Sequence, residues 1–283
     1  MHSTIVSTDL LAAHLDEWTI VDCRFDLQNE HWGRDEYRRA HIPGAVYASL
    51  NADLSGAPDG TNGRHPLPPV DALAATLGRL GIDRSSQVVA YDQDAGPYAS
   101  RFWWMLRYLG HDASAVLDGG WAKWLREGRP AQSGDETRPG ATFTPAPRPR
   151  NRVEIGEVVS LSTGGETLLI DARAPERFEG RSETIDRVAG HIPGAANHFF
   201  KQNLAPDGTL LPPETLRANF DRLLSGRPPA DTVMYCGSGV TACQNLLAME
   251  HAGLPGARLY VGSWSEWSSD PSRPIETGSS RRK

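Results

Sequence analysis

The chain of 283 residues is long enough for about two domains, and its 39% hydrophobic content favours packed cores over disorder. A formal net charge of -6 argues against a nucleic-acid surface, which would need clustered lysines and arginines. No apolar run reaches the roughly 18 residues that cross a bilayer, and residues 1–18 lack the basic start and apolar core of a secretory signal, so we expect a cytoplasmic protein without membrane contact.

In chain order, the predicted elements form one series that occurs twice. The first series consists of "WTIVDCRFD" (18–26), "AHIPGA" (40–45), "QVVAYDQDAG" (87–96) and "GGWAKWLREGRP" (119–130). The second consists of "TLLIDARAP" (167–175), "GHIPGA" (190–195), "DTVMYCGSGV" (231–240) and "VGSWSEWSSDPSRP" (261–274). The order of the segments is the same in both, so the sequence predicts an internal duplication.

The duplication sets the expected domain boundaries. Residues 133–151 are rich in proline, glycine and arginine and lack apolar periodicity, which is typical of a semi-extended linker. We therefore predict an N-terminal domain over 1–133, a linker over 134–151, a C-terminal domain over 152–277 and a flexible tail over 278–283.

Each copy alternates short β-branched runs with helical patterns. After the glycine-bearing loops, apolar residues follow an i, i+4, i+7 spacing: Phe102, Leu106 and Leu109, then Ala242, Leu246 and Met249. Strand, tight loop and helix in alternation predict an α/β fold of two tandem domains, each with a mainly parallel sheet flanked by helices. The loops then lie at the carboxyl ends of strands, where open α/β folds bind ligands.

Cys236 stands in such a loop. A strand-end cysteine followed by small residues and a helix start lies in an array of backbone N–H groups, which favours a thiolate or a persulfide anion. The alternative is a small buried structural cysteine. The first copy has Asp92 at the matching position, which suggests an accessible loop position rather than a core one. The odd number of unclustered cysteines fits neither a disulfide framework nor a zinc site.

The doubled domain, the two His-Ile-Pro-Gly-Ala segments and the Cys-Gly-Ser-Gly-Val-Thr-Ala loop resemble the two-domain rhodanese-type sulfurtransferases, and within them the 3-mercaptopyruvate sulfurtransferases. Thiosulfate-using members of this family typically have Arg and Lys after the cysteine, whereas this chain has Gly237 and Ser238. A dianion such as thiosulfate benefits from cations beside the nucleophile. Since the loop offers none, we expect mercaptopyruvate as donor, with thiosulfate as the alternative.

The resemblance implies an activity and its partners. Cys236 would take the sulfane sulfur of 3-mercaptopyruvate, release pyruvate and pass the sulfur from a persulfide to thioredoxin, a small thiol or cyanide. Catalytic roles are implied for Cys236, Ser238, Asp53 and His65, the last two in "NADLSG" and "GRHPLP". The residues implied to bind the persulfide or substrate are Arg177, Arg187, Gly237, Gly239, Val240 and Thr241. No cofactor or metal is expected.

Several assignments stay open. Arg177 suits the substrate carboxylate, but the second arginine is either Arg187 or Arg181. Thr241 is alternatively an ordinary helix cap, and Asp53 and His65 are alternatively turn residues. We expect structural roles for residues that recur in both copies: His41, His191, Asp22, Asp171, Trp121, Trp124, Trp264 and Trp267.

Other classes of function fit less well. A cysteine phosphatase needs an arginine about six residues after the cysteine, where this chain has Ala242. A thiol-disulfide oxidoreductase prefers Cys-x-x-Cys, whereas Cys243 lies in the predicted helix and is expected to point elsewhere. A non-catalytic sulfur carrier or regulatory module is the remaining alternative, and the intact Cys236 loop argues against it.

Overall fold

The duplicated sequence folds into two copies of one α/β arrangement, which a computed structural model describes over residues 1–94, 96–164 and 167–279. The strands of the first copy are β1 (Ile5–Val6), β2 (Thr19–Asp22), β3 (Val46–Tyr47), β4 (Val88–Tyr91) and β5 (Ser114–Leu117). Its helices are α1 (Thr8–Ala12), α2 (Trp32–Arg39), α3 (Val70–Arg79), α4 (Pro97–Tyr108) and α5 (Gly120–Arg126).

The second copy repeats the series. Its strands are β6 (Arg152–Val153), β7 (Leu168–Asp171), β8 (Ala196–Asn197), β9 (Thr232–Tyr235) and β10 (Arg258–Tyr260). Its helices are α6 (Ile155–Gly164), α7 (Pro175–Phe178), α8 (Pro213–Leu224), α9 (Thr241–His251) and α10 (Ser263–Trp267), with short 3₁₀ turns at Pro149–Asn151, Phe200–Asn203 and Pro229–Asp231.

Each sheet has five strands, in the order β1-β5-β4-β2-β3 and β6-β10-β9-β7-β8. All strand pairs are parallel, so the predicted α/β fold is confirmed. The central strands are buried along their whole length, because helices cover both faces of a parallel sheet. The apolar positions predicted on α4 and α9 are buried as well.

The chain divides into two compact units whose sequence segments interleave. The first unit contains 1–56, 67–148 and 204–210, and the second contains 57–66, 149–203 and 211–283. The predicted linker 134–151 therefore lies largely in the first unit, where Ala146 N–H donates to Leu109 O over 2.8 Å. Of the predicted tail 278–283, residues 280–283 lie outside the described residues.

The recurring residues are structural, as expected. The carboxylates of Asp22 and Asp171 each pair with the arginine two positions later, Arg24 or Arg173, over 2.7 Å in the interior. Nδ1 of His41 and of His191 contacts a backbone oxygen of its own unit at 2.8 and 2.7 Å. The paired tryptophans Trp121, Trp124, Trp264 and Trp267 are buried in the two cores.

Within the described ranges, no helix is both long and apolar enough to cross a membrane.

Candidate active site

Cys236 follows the last residue of β9 and is 2% exposed. Its backbone N–H donates to Ser263 Oγ over 3.1 Å, and its carbonyl accepts from Trp264 N–H over 2.9 Å. Gly239 has a φ of +72°, a left-handed conformation that favours glycine and turns the chain back toward α9. The start of α10 thus holds the backbone of Cys236 in place, and Gly239 allows the chain to turn toward α9.

The backbone amides of this loop are available to a ligand. Within the described ranges, the N–H groups of Gly237, Ser238, Val240 and Thr241 donate to no protein acceptor. These groups come just before or at the first turn of α9, an eleven-residue helix whose dipole adds positive potential there. The loop can therefore stabilise an anion at the position of the cysteine sulfur.

Asp92 shows what the same loop does in the first copy. Its side chain is completely buried, and its carboxylate accepts N–H groups from Gly96, Tyr98 and Ala99 at 2.9, 2.8 and 3.1 Å. The expectation of an accessible position was wrong, because the carboxylate turns inward to fill the amide array. Burial outweighs these hydrogen bonds and raises the pKa of Asp92 to about 7.

Ser238 and His65 form a pair beside Cys236. Nδ1 of His65 lies 2.8 Å from Ser238 Oγ, and the two residues are 4% and 6% exposed. The segment 57–66 that carries His65 belongs to the same compact unit as the loop. It is attached there through Ser265, whose Oγ accepts Arg64 N–H over 3.0 Å and whose N–H donates to Gly237 O over 2.9 Å.

Asp53 belongs to the first unit, unlike the other predicted site residues. Its carboxylate accepts Ser49 N–H over 2.8 Å and pairs with Arg79, both within that unit. These contacts are those expected of Asp53 in its alternative role as a turn residue.

Arg177, on α7, lies near the loop as the resemblance implied. Its Nη2 would be 3.6 Å from a Cβ placed on Gly237. Nε is 3.0 Å from both Glu183 oxygens, and Nη2 donates to Asp186 Oδ2 over 2.9 Å. The pairing lowers the pKa of Glu183 despite its burial. Arg177 is therefore positioned by two carboxylates that occupy one edge of its guanidinium.

The two candidates for the second arginine are both exposed. Arg181 pairs with Glu179 over 2.5 Å, at a surface position. Arg187 instead lines a pocket of about 460 Å³ with Arg64, Asp186, Ser265, Ser268 and Ser269.

The sequence analysis did not identify Arg64. Its Nη1 donates to Asp186 Oδ1 over 2.5 Å, and its Nη2 would lie 3.0 Å from a Cβ on Gly237. The loop has no cation of its own, as the sequence indicates, and Arg64 and Arg177 lie beside it. The only sequence signal that placed Arg64 near the loop was its position next to His65. Its ion-pair partner Asp186 is 122 residues away, so no local pattern connects the two.

The other two cysteines are buried. Burial, with the carboxylates of Asp22, Asp92 and Asp53 contributing, raises the pKa of the Cys23 thiol well above its usual range. Cys243 was expected to point away from Cys236, and its S–H donates to the backbone carbonyl of Gly239 over 3.3 Å. A polar hydrogen in the first turn of a helix commonly bonds back to the carbonyl four residues earlier.

Comparison with known proteins gives a consistent assignment. The family described as "Rhodanese-like domain" matches residues 7–127 and 154–270. The chain is 46% identical over 280 residues to a probable 3-mercaptopyruvate sulfurtransferase of Pseudomonas aeruginosa, covering 97% of this chain and 98% of the other. It is 40% identical over 271 residues to a putative thiosulfate sulfurtransferase of Mycobacterium tuberculosis, covering 93% and 92%. The structure of 3-mercaptopyruvate sulfurtransferase from Leishmania major aligns with a TM-score of 0.85 and 31% identity, over 94% of this chain and 74% of the other.

Proposed function

This chain belongs to the rhodanese family, and we propose that it is a 3-mercaptopyruvate sulfurtransferase whose Cys236 carries the transferred sulfur as a persulfide. The open amides of the Cys236 loop support this function. In the first copy the equivalent array is filled by the Asp92 carboxylate. In the second copy Cys236 takes that place, and a persulfide anion on its sulfur would supply the missing negative charge.

The donor half-reaction begins with the Cys236 thiolate. It attacks the sulfur of mercaptopyruvate, the carbon–sulfur bond breaks, and its electron pair passes to the pyruvate enolate. The proton of the donor thiol ends on the methyl carbon of pyruvate, which leaves Cys236 as a persulfide anion. Ser238 and His65, 2.8 Å apart, are suited to carry that proton.

The acceptor half-reaction restores the enzyme. A thiolate, from a small thiol or a protein such as thioredoxin, or cyanide attacks the outer sulfur of the persulfide. The sulfur–sulfur bond breaks and Cys236 leaves as a thiolate. A reducing compartment such as the cytosol suits this chemistry, since the protein's three cysteines are free thiols.

Thiosulfate is the second candidate donor, because the Mycobacterium tuberculosis relative carries that name. The charges beside the loop favour mercaptopyruvate, which is a monoanion, over thiosulfate, which is a dianion. Arg64 and Arg177 share Asp186, and Arg177 also contacts Glu183, so each added cation is balanced by a carboxylate. A dianion would gain less there than beside two uncompensated cations.

Steady-state kinetics with both donors and cyanide as acceptor test the assignment. We expect a kcat/KM for mercaptopyruvate well above that for thiosulfate. A preference for thiosulfate would replace this function with thiosulfate sulfurtransferase, and transfer from neither donor would favour a non-catalytic module.

A further inference from the structure

We infer that Ser263 is a positioning residue that fixes the backbone of Cys236 and so keeps its sulfur among the open backbone amides of the loop. The inference rests on the proposed function only in taking Cys236 as the nucleophile. Ser263 adopts a backbone conformation that costs free energy, at a position where the first copy has glycine.

The backbone of Ser263 is unusual for a residue with a side chain. Its φ of +55° lies in the left-handed region, which mainly glycine adopts. Of the residues that the structure describes, Ser225 is the other one that combines a side chain with a positive φ. Ser225 ends α8 at the surface, where a left-handed residue is common. Ser263 is completely buried and begins α10, so its strain calls for another reason.

The first copy makes the same turn without this strain. Gly120, at the start of α5, has a φ of +54°, which glycine adopts readily. Trp121, the residue after it, donates its N–H to Asp92 O over 2.9 Å. In the second copy, Trp264 N–H donates to Cys236 O over the same distance. Glycine therefore suits this turn, and a serine replaces it in the copy that carries the nucleophile.

The hydroxyl of Ser263 connects the ends of two neighbouring strands. It donates to Tyr260 O at the end of β10 over 2.9 Å, which leaves its oxygen to accept the Cys236 N–H over 3.1 Å. The Cys236 carbonyl is held by Trp264 N–H, so both polar groups of the Cys236 backbone have partners. Because a single torsion separates the backbone of a cysteine from its sulfur, a fixed backbone limits where the sulfur can lie.

The side chain of Ser263 also holds the Cys236 loop away from α10. In the first copy, a Cβ on Gly120 would lie 2.8 Å from Asp92 O and 2.9 Å from Asp94 O, so that loop leaves no room for a side chain. Removing the Ser263 side chain opens this space in the second copy. It also leaves the buried Cys236 N–H without its partner, which favours a shift of the loop toward α10.

Two variants separate the hydroxyl from the backbone strain. Ser263→Gly removes both, whereas Ser263→Ala removes the hydroxyl alone. We expect each to lower the rate at which iodoacetamide alkylates Cys236, read by peptide mass spectrometry, by about tenfold or more. The reason is that a displaced sulfur loses hydrogen bonds that stabilise its thiolate. The kcat for mercaptopyruvate should fall to a similar extent, with KM within about twofold of wild type, because donor binding is unchanged.

The matched control is Ser225→Gly, which relieves the same kind of strain in the same unit without touching the loop. Its alkylation rate and kinetics should equal those of wild type. Circular dichroism and the urea midpoint check that each variant folds. Ser263→Gly keeps the test valid if Ser263→Ala does not fold, since Gly120 already forms this turn in the first copy.

A role of Ser263 in stability alone would give a different result. The folded variants would then alkylate and turn over at the wild-type rate, and that result in Ser263→Gly overturns the inference. A loss of kcat/KM that comes only from a raised KM overturns it as well.

The alkylation rates also separate this inference from the proposed function. Wild-type protein that transfers no sulfur from mercaptopyruvate contradicts the proposed function, whereas slower alkylation of Cys236 in both Ser263 variants still supports the positioning role. Normal alkylation in folded Ser263→Gly, with sulfur transfer by wild type intact, contradicts the role of Ser263 alone.

Discussion

Nδ1 of His65 lies 2.8 Å from Oγ of Ser238, although the two residues are 173 positions apart in the chain. The contact is possible because residues 57–66, which come from the first half of the sequence, belong to the second compact unit. It places a titratable ring next to the hydroxyl that follows Cys236 by two residues. A proton can therefore pass between the two side chains at the Cys236 loop.

Removing either side chain of this pair should slow the donor half-reaction. We expect Ser238→Ala and His65→Gln each to lower kcat for mercaptopyruvate by about 100-fold, the lower range for general acid–base catalysis. The double variant should lose little more than either single variant, because the two residues act as one unit. Steady-state kinetics measure all three. Losses that multiply in the double variant would show that the residues act independently.

Asp92 should make the stability of the protein depend on pH. Burial raises its pKa to about 7 in the folded protein, whereas an unfolded aspartate has a pKa of about 3.9. Between these values the folded state holds more protons, so its stability falls as pH rises from about 4 to 7 and stays lower above that. In Asp92→Asn this part of the decline should disappear.

Urea unfolding of wild type and Asp92→Asn at several pH values checks this. As pH rises from about 4 to 7, the free energy of unfolding of wild type should fall by a few kcal/mol relative to that of Asp92→Asn. A difference that does not change with pH would mean that Asp92 remains ionised throughout.

The two remaining cysteines should not be needed for turnover. We expect Cys23→Ser and Cys243→Ser to retain most activity, since a serine hydroxyl can also donate to Gly239 O. Cys243→Ala removes that bond and should lower activity slightly. At pH 8 iodoacetamide should leave Cys23 unmodified, because its raised pKa keeps the thiol protonated. Rapid labelling of Cys23 would contradict the assigned environment.

Donor preference should respond to charge placed in the loop. In Gly237→Arg with Ser238→Lys, two added cations beside Arg64 and Arg177 should shift the ratio of kcat/KM values toward thiosulfate, even though absolute rates fall. Gly237→Ala is the control, since it crowds Arg64 without adding charge. Equal donor ratios in the two variants would show that charge beside the loop does not set the preference.

The duplicated segments predicted the parallel sheets and the loop that carries Cys236, because strand, loop and helix signals are local in sequence. Ser238 lies in that loop, and Arg177 could be placed near it only through the resemblance to the rhodanese-type sulfurtransferases. Arg64 and the inward turn of Asp92 could not be predicted. Arg64 reaches the loop through an ion pair with Asp186, and no local pattern encodes a contact of that range. A charged residue in a loop is usually exposed, and the sequence does not show which backbone amides would bind the Asp92 carboxylate.

The central claim is that the transferred sulfur resides on Cys236, and mass spectrometry of the donor-treated protein tests it most directly. Incubation with mercaptopyruvate in the absence of acceptor should add one sulfur atom, located on the peptide that contains Cys236, and cyanide should release it as thiocyanate. Cys236→Ser should gain no sulfur and show no turnover. Sulfur found on Cys23 or Cys243, or turnover retained in Cys236→Ser, would contradict the account.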